Sequence, residues 1–448
     1  MPFIPSTEEN RKQMLNAIGV SDFEELLKDI PDNVRFKGDL DLPRPLSEIE
    51  VTNLLEKLAA KNKHTGTHAC FLGAGAYDHF IPAAVDHVIS RPEFYTAYTP
   101  YQPEVSQGNL QAIYEYQTMI ANLTDMDVAN ASLYDGASAL AEAALLSANY
   151  TRKEDILISK SVHPFYREVV ETYCNRSEIN LKEINISDYR TDIDQLKNLT
   201  NENTAGLLVQ SPNFFGFLEN LREMEKIIHE VKGLYTISVD PISLGILKPP
   251  GKYNADIVTG EGQALGNHLS LGGPYLGIFA AKKSLIRKMP GRIAAVTEDK
   301  DGRRGFVLTL QTREQHIRRD KATSSICTNQ QLCALAATVY MALMGKKGIP
   351  AVANLCVHKA HYLAEKLAEI KGVELLEKHP FFKEFALKTP VKANKIINQM
   401  RKKNIFAGID LSRFDYDLEN ALLIAVTEKR TKEEMDRYVE VMKEIIQE

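Results

Sequence analysis

The chain has 448 residues, 44% of them hydrophobic and 25% charged, with 54 Lys plus Arg against 59 Asp plus Glu and a formal charge of -5. At roughly 150 residues per domain this allows about three domains, or one large α/β unit with a smaller one, and it excludes a disordered chain. So even a charge balance argues against a nucleic-acid binder, which carries a basic stripe, and the ordinary Gly (25) and Pro (19) counts exclude collagen-like and low-complexity classes.

The first seventy residues read as a charged helical arm. Ser6 with Glu9, Ser21 with Glu24 and Ser47 with Glu50 have capping-box spacing, and Gly19 and Pro31 act as stops. Such an arm packs over a partner subunit or sits as a satellite of its own domain. Periodicity weakens from Phe71 to Pro103. Helices and apolar strands then alternate: helix Asn109–Leu123, a strand near Asp127–Asn130, helix Ala137–Asn149, strand Asp155–Ser159, helix Pro164–Tyr173 and strand Ile179–Ile184. Strand Gly206–Gln210, helix Leu221–Val231, strand Leu234–Val239 and the apolar runs Asp256–Thr259 and Tyr275–Ala280 follow. Short apolar strands at helical intervals predict a mostly parallel sheet covered on both faces. Helix Gln330–Leu343 stops at Gly345, and helix Ile349–Ile370 succeeds it. Beyond lie strands Val373–Leu376, Glu384–Leu387 and Leu422–Val426 with helices Ala393–Lys402 and Lys432–Ile446, a smaller α+β unit. The expected division is therefore an arm over 1–70, a large domain over 71–347 and a small domain over 348–448.

Cys70, Cys174, Cys327, Cys333 and Cys356 are odd in number and scattered, with no CxxC pair, so they read as reduced thiols. The opening MPFIPSTEEN lacks a basic stretch followed by an apolar one, and no apolar run reaches the ~18 residues that span a bilayer. The expectation is a soluble cytoplasmic protein with no membrane contact. His64 and His68 are four apart, but Thr65, Gly66 and Thr67 between them disfavour a helix and no third ligand is placed; no metal site is expected.

Four stretches carry candidate chemistry. Phe71-Leu-Gly-Ala-Gly-Ala-Tyr-Asp78 has two glycines of a dinucleotide loop but lacks the third and a preceding strand, so it reads as a structural turn. Glu93 to Glu104 sets three tyrosines and a phenylalanine among prolines just ahead of Ser106-Gln-Gly108. It reads either as an ordered arm at a subunit interface, where Tyr is enriched, or as a wall of an active site. Tyr134-Asp-Gly-Ala-Ser138 opens a helix, where free amides suit a phosphate, although Ser138 or Asp135 acting as N-cap is the simpler reading. His163 follows one strand, and Asp240 ends another at the edge where open α/β sheets place ligands.

Gly136-Ala-Ser138, His163 and Asp240 stand in the chain order of a fold-type I pyridoxal-phosphate (PLP) enzyme: phosphate turn, ring-stacking side chain, and carboxylate for the ring nitrogen. More narrowly, the chain resembles the glycine cleavage system P-protein family in its split, alpha-subunit form. The resemblance rests on Pro92 to Gly108, Ser161-Val-His-Pro164, Val239-Asp-Pro241 and Gly272-Gly-Pro-Tyr-Leu-Gly277, and it runs over essentially the whole chain. It implies an α/β fold of the PLP-dependent transferase type, with a large mostly parallel-sheet domain and a smaller C-terminal α+β domain.

One departure matters. The stretch Asp256-Ile-Val-Thr-Gly-Glu-Gly-Gln-Ala-Leu-Gly266, where such an enzyme carries its cofactor lysine, contains none; Lys248, Lys252, Lys282 and Lys283 are the nearest, the last two read as a solvated strand end. The site at Ser138, His163 and Asp240 is then vestigial, with no covalent cofactor. The resemblance implies that the beta subunit (subunit 2) holds PLP and that the pair decarboxylates glycine and passes the aminomethyl group to the lipoyl group of H-protein. It also implies two copies of each subunit and a chain inactive alone. Tyr95, Tyr98, Tyr101, Gln102, Ser106 and Gln107 are the residues expected to line the partner's site. A purely structural subunit that stabilises its partner or docks the lipoyl protein is the other reading.

Overall fold

In a computed structural model, residues 6–36, 38–376 and 379–447 are described, so the first five residues of the opening segment lie outside it. The chain divides into two compact units, Met1–Lys63 and His64–Glu448. The first consists of helices Glu8–Ile18, Phe23–Leu26 and Glu48–Ala59, none of which buries a residue. Its caps sit one residue later than two of the three expected. Thr7 with Asn10 forms the first box, and Asp22 caps the second helix by accepting from Glu25 N, whereas Ser47 with Glu50 is as read. The shift has a physical cause: Thr and Asp beside the expected serines are equally good acceptors, and the chain direction decides between them.

The second unit is built on a seven-stranded sheet. Its order is Val128–Ala129, Gly277–Ala281, Ile257–Glu261, Leu234–Val239, Thr204–Gln210, Asp155–Ser159, Asn180–Ile184. Every pairing is parallel except the two made by Gly277–Ala281. Leu207, Ile237 and Val258 are fully buried, and Tyr340 and Met341 of the long helix Gln331–Ala368 join the same core. Each such aliphatic side chain contributes roughly 1.5–3 kcal/mol on burial. Strands that are apolar on both faces require helices on both, which is why the pattern reads as continuous rather than alternating.

The helix Gln331–Ala368 breaks at Gly345, whose φ of 56° and ψ of -163° no helix contains, at the stop the sequence marks. Among the described residues it is the one helix long and apolar enough by composition to cross a bilayer, although Lys346 and Lys347 interrupt its apolar run. Here it is a core helix: Ala334, Ala337, Tyr340 and Met341 pack under the sheet. Beyond it, strands Glu374–Leu375, Glu384–Lys388, Ala421–Ala425 and Ile409–Asp410 form an antiparallel sheet in that order, covered by helices Ala393–Lys402 and Lys432–Gln447.

Among the features that the strand pattern does not foretell are two pairings. Ala69–Cys70 is a two-residue strand paired in parallel with Ile405–Phe406, so a short strand does precede the Phe71–Asp78 segment. Ile293–Glu298 and Arg304–Thr309 form an antiparallel hairpin closed by Asp299–Arg303, where Asp299 Oδ1 accepts from Asp301 N and Arg303 N. The Asp301-Gly302 pair is the turn signal that would have revealed it.

Candidate functional site

Asp240 ends the strand Leu234–Val239 at the sheet edge, as expected, and Ile242 N donates to its Oδ1 at 2.9 Å. Its other oxygen lies 2.6 Å from Lys383 Nζ. Lys383 lies just before the strand Glu384–Lys388, is 1% exposed, and stands 3.5 Å over the Tyr77 ring. It also donates to His79 Nε2 at 2.8 Å, so the His79 proton sits on Nδ1 and is donated to Glu428 Oε2 at 2.6 Å. Burial, helped by the Lys383 charge, lowers the His79 pKa and keeps the ring neutral, in keeping with that assignment. His79, Cys356 and Glu428 are the residues close enough to share a metal ion among those described, but Nδ1 already carries a proton. The cluster is a closed hydrogen-bond chain.

His163 heads the helix Pro164–Asn175. Phe165 N donates to its Nδ1 at 3.2 Å, so Nε2 carries the proton and donates to Ala74 O at 3.0 Å. Its ring stacks on Tyr166, with centroids 4.9 Å apart. Burial lowers its pKa to about 4. The segment Phe71–Asp78, read as a structural turn, is a strap laid across the site. Ala74 N and Tyr77 Oη donate to the two oxygens of Glu384, at 2.7 and 2.5 Å, and Tyr77 N donates to Gln263 Oε1 at 2.8 Å. Gly73 is required by the close approach, since a Cβ there would fall 2.1 Å from Glu384 Oε1.

Ser138 lies in the first turn of the helix Gly136–Thr151, and the capping reading is the one observed. Ser138 N donates to Asp135 Oδ1 at 2.7 Å, and Asp135 N donates to Ser138 Oγ at 3.1 Å. Gly136 N donates to Glu261 Oε2 at 3.0 Å, while Gln263 N and Leu276 N donate to Glu261 Oε1, each at 3.0 Å. Burial pushes Glu261 up to about 8 against the pull of those donors.

These residues do not fit PLP. Lys383 occupies the Asp240 oxygen that would meet a ring nitrogen. The strap and Tyr166 cover the His163 ring, and Asp135 with Glu261 takes the amides that would hold a phosphate. A phosphate placed there would face two carboxyl groups. The stretch 256–266 supplies no lysine. Lys252 and Lys282 are paired with Asp125 and Asp256, and Lys248 stands 5.0 Å over Tyr253. Lys282 is two-thirds covered rather than a solvated end. His64 and His68 also have other work: His64 Nδ1 accepts from Gly66 N, and His68 stacks on Phe406.

The tyrosine-rich segment presents a different surface. Pro92–Tyr95 is one helical turn and Pro103–Val105 another, the prolines fixing the first position of each. Tyr98 is 85% exposed, Tyr95 and Gln102 are exposed, and Ser106 caps the helix Gln107–Thr124 through its backbone alone. Tyr101 is half-exposed, and its oxygen accepts from Arg292. Gln107 faces the other way: its side-chain amide bonds both Phe306 O, at 2.9 Å, and Phe306 N, at 2.8 Å, clamping the hairpin. Tyr95 and Tyr98 thus present their phenols to the surface, while Tyr101 is held by Arg292 and packs edge-on to His316.

Comparison with known proteins gives the family and the fold. A family model described as glycine cleavage system P-protein matches residues 1–442. The probable glycine dehydrogenase (decarboxylating) subunit 1 of Chloroherpeton thalassium is 54% identical over 445 residues, covering 99% of this chain and 100% of that one. Its counterpart in Moorella thermoacetica is 51% identical and covers 100% of both. The crystal structure of glycine decarboxylase (P-protein) of the glycine cleavage system, in inhibitor-bound form, matches with a TM-score of 0.91 at 41% identity, covering 99% of this chain and 100% of that one. A Burkholderia pseudomallei sphingosine-1-phosphate lyase matches with a TM-score of 0.66 at 14% identity, covering 93% of this chain and 94% of that one, a likeness of fold alone.

Proposed function

The chain belongs to the glycine cleavage system P-protein family, and from that premise we propose that it is the lysine-less alpha subunit, which completes an active site held by a lysine-bearing beta subunit. The observation that carries this reading is the filled cofactor position: Asp240 is neutralised by Lys383, and the helix amides at Gly136 and Ser138 are taken by Glu261 and Asp135. Ser138, His163 and Asp240 therefore act as a structural remnant. When bound by the partner, PLP supplies an electron sink for glycine decarboxylation.

The part of this chain is to cover that pocket. Tyr95, Tyr98 and Tyr101 offer hydroxyl donors, Gln102 an amide and Ser106 a hydroxyl, while the proline-fixed backbone excludes water. Gln107 serves the same wall indirectly, by holding it on the hairpin. The aminomethyl group then passes to the lipoyl group of H-protein. Two alpha and two beta subunits make up the assembly, and a cytoplasmic setting accords with five free cysteines. Residues 71–347 and 348–448 are read as the large and small domains, meeting near the Gly345 break.

Tyr95→Phe and Tyr98→Phe, assembled with the matching beta subunit, test this. The expected result is a loss of glycine turnover with the assembly intact by sedimentation. Wild-type turnover in both variants would instead favour a purely structural subunit.

A further inference from the structure

Arg292 stands just before the hairpin and is 3% exposed, yet it joins the tyrosine-rich segment, at Tyr101, to the separate segment Cys327–Asn329. Its Nη2 donates to Tyr101 Oη at 3.0 Å and to Cys327 O at 2.6 Å. Its Nη1 donates to Thr328 Oγ1 at 3.0 Å and to Asn329 Oδ1 at 3.4 Å. Its Nε lies 3.7 Å from Glu314 Oε2 and makes no hydrogen bond. The 327–330 segment is itself anchored beneath: Cys327 N donates to Tyr134 Oη, Asn329 Nδ2 to Ala131 O and Gln330 N to Ser132 Oγ. A planar guanidinium with its donors in a fixed fork sets the angle between the groups it bridges, which a lysine does not.

The direction of the Tyr101 bond has a chemical consequence. Arg292 can only donate, so the phenol oxygen is the acceptor, and the phenol keeps its own proton to give away. That proton has no acceptor among the described residues, and Tyr101 is 45% exposed. The guanidinium, 5.4 Å from the ring centroid, also adds positive potential to the spot.

We propose that Arg292 is a positioning residue that holds Tyr101 with its hydroxyl proton turned outward, as a donor to an anionic oxygen brought by the partner subunit. The inference rests on the reading that Tyr101 lines the partner's site, and it adds the group that orients it and the class of ligand atom it meets. The anionic oxygen belongs to a carboxylate, as in glycine, or to a phosphate, as in the cofactor.

The test uses the assembled enzyme with Arg292→Lys, Tyr101→Phe and the double variant. Each single variant is expected to lower kcat/KM for glycine about tenfold, the factor carried by one charge-assisted hydrogen bond. The double variant is expected to fall no further than either single one, because both remove the same interaction. A raised KM for glycine with unchanged PLP affinity identifies the carboxylate as the target; a weakened PLP affinity with unchanged KM identifies the phosphate. Additive losses, or a wild-type Arg292→Lys beside an impaired Tyr101→Phe, overturn the positioning role alone. Wild-type behaviour of Tyr101→Phe removes Tyr101 from the lining, and the positioning role with it. Should Arg292→Lys fail to assemble, Thr328→Val leaves the charge but removes one anchor, and a loss of about threefold in kcat/KM is expected; no loss there also overturns the proposal.

Discussion

Lys383 and Asp240 decide the character of the fold's central position. With Lys383 1% exposed and Asp240 2.6 Å away, the pair is largely desolvated, and its ammonium also serves His79 and the Tyr77 ring. Removing one partner leaves a buried charge uncompensated, so Lys383→Met is expected to cost about 3–5 kcal/mol of stability by denaturant unfolding. A cost below about 1 kcal/mol would mean that the pair is not what closes the site. At this scale the sequence was half legible. Asp240 and His163 could be placed at strand ends because strand pattern and position travel together along the chain. Lys383 could not, since nothing local in Phe382-Lys383-Glu384 tells that the lysine crosses to a strand of the other sheet. Glu261 was hidden similarly: it lies within the stretch searched for a lysine, and its role as the acceptor for Gly136 appears only once the strands are adjacent.

Among the elements, the helix Gln107–Thr124 shows how one face can serve both packing and presentation. Gln107 bonds the N–H and C=O of Phe306, and Gln117 does the same for Ala294, with Ala294 N to Gln117 Oε1 at 2.8 Å and Gln117 Nε2 to Ala294 O at 3.0 Å. Two glutamines thus act as short strand substitutes along a hairpin whose outer backbone groups would otherwise lack partners. Gln107→Ala is expected to cost about 1–2 kcal/mol, and to raise amide exchange across Ile293–Thr309 while leaving the central sheet protected. Unchanged exchange would show that the hairpin does not need the clamp. The helices and parallel strands were readable because their periods are strong. The hairpin was not, because its alternation is broken by Glu298 and Arg304, leaving Asp301-Gly302 as the one local cue.

On the scale of the whole molecule, the two units divide the labour. The Met1–Lys63 unit buries no residue in any of its helices, so it has no core of its own to fold around, in keeping with an arm that needs another surface. The His64–Glu448 unit keeps the fold-type I architecture, with Lys383 paired to Asp240 and Glu261 accepting from Gly136 N. The sheet end around Asp240 is a hydrogen-bond network with Lys383 and His79, and Tyr95 and Tyr98 are exposed on a different segment. Whether this subunit or its partner holds the cofactor is decided by a borohydride trap. The chain would be incubated with PLP alone and with the beta subunit, reduced, and the tagged lysine mapped by peptide mass. The account predicts a stoichiometric tag on the partner and none here; a single lysine of this chain fully tagged in the chain alone, with Lys383 the first to examine, would contradict it.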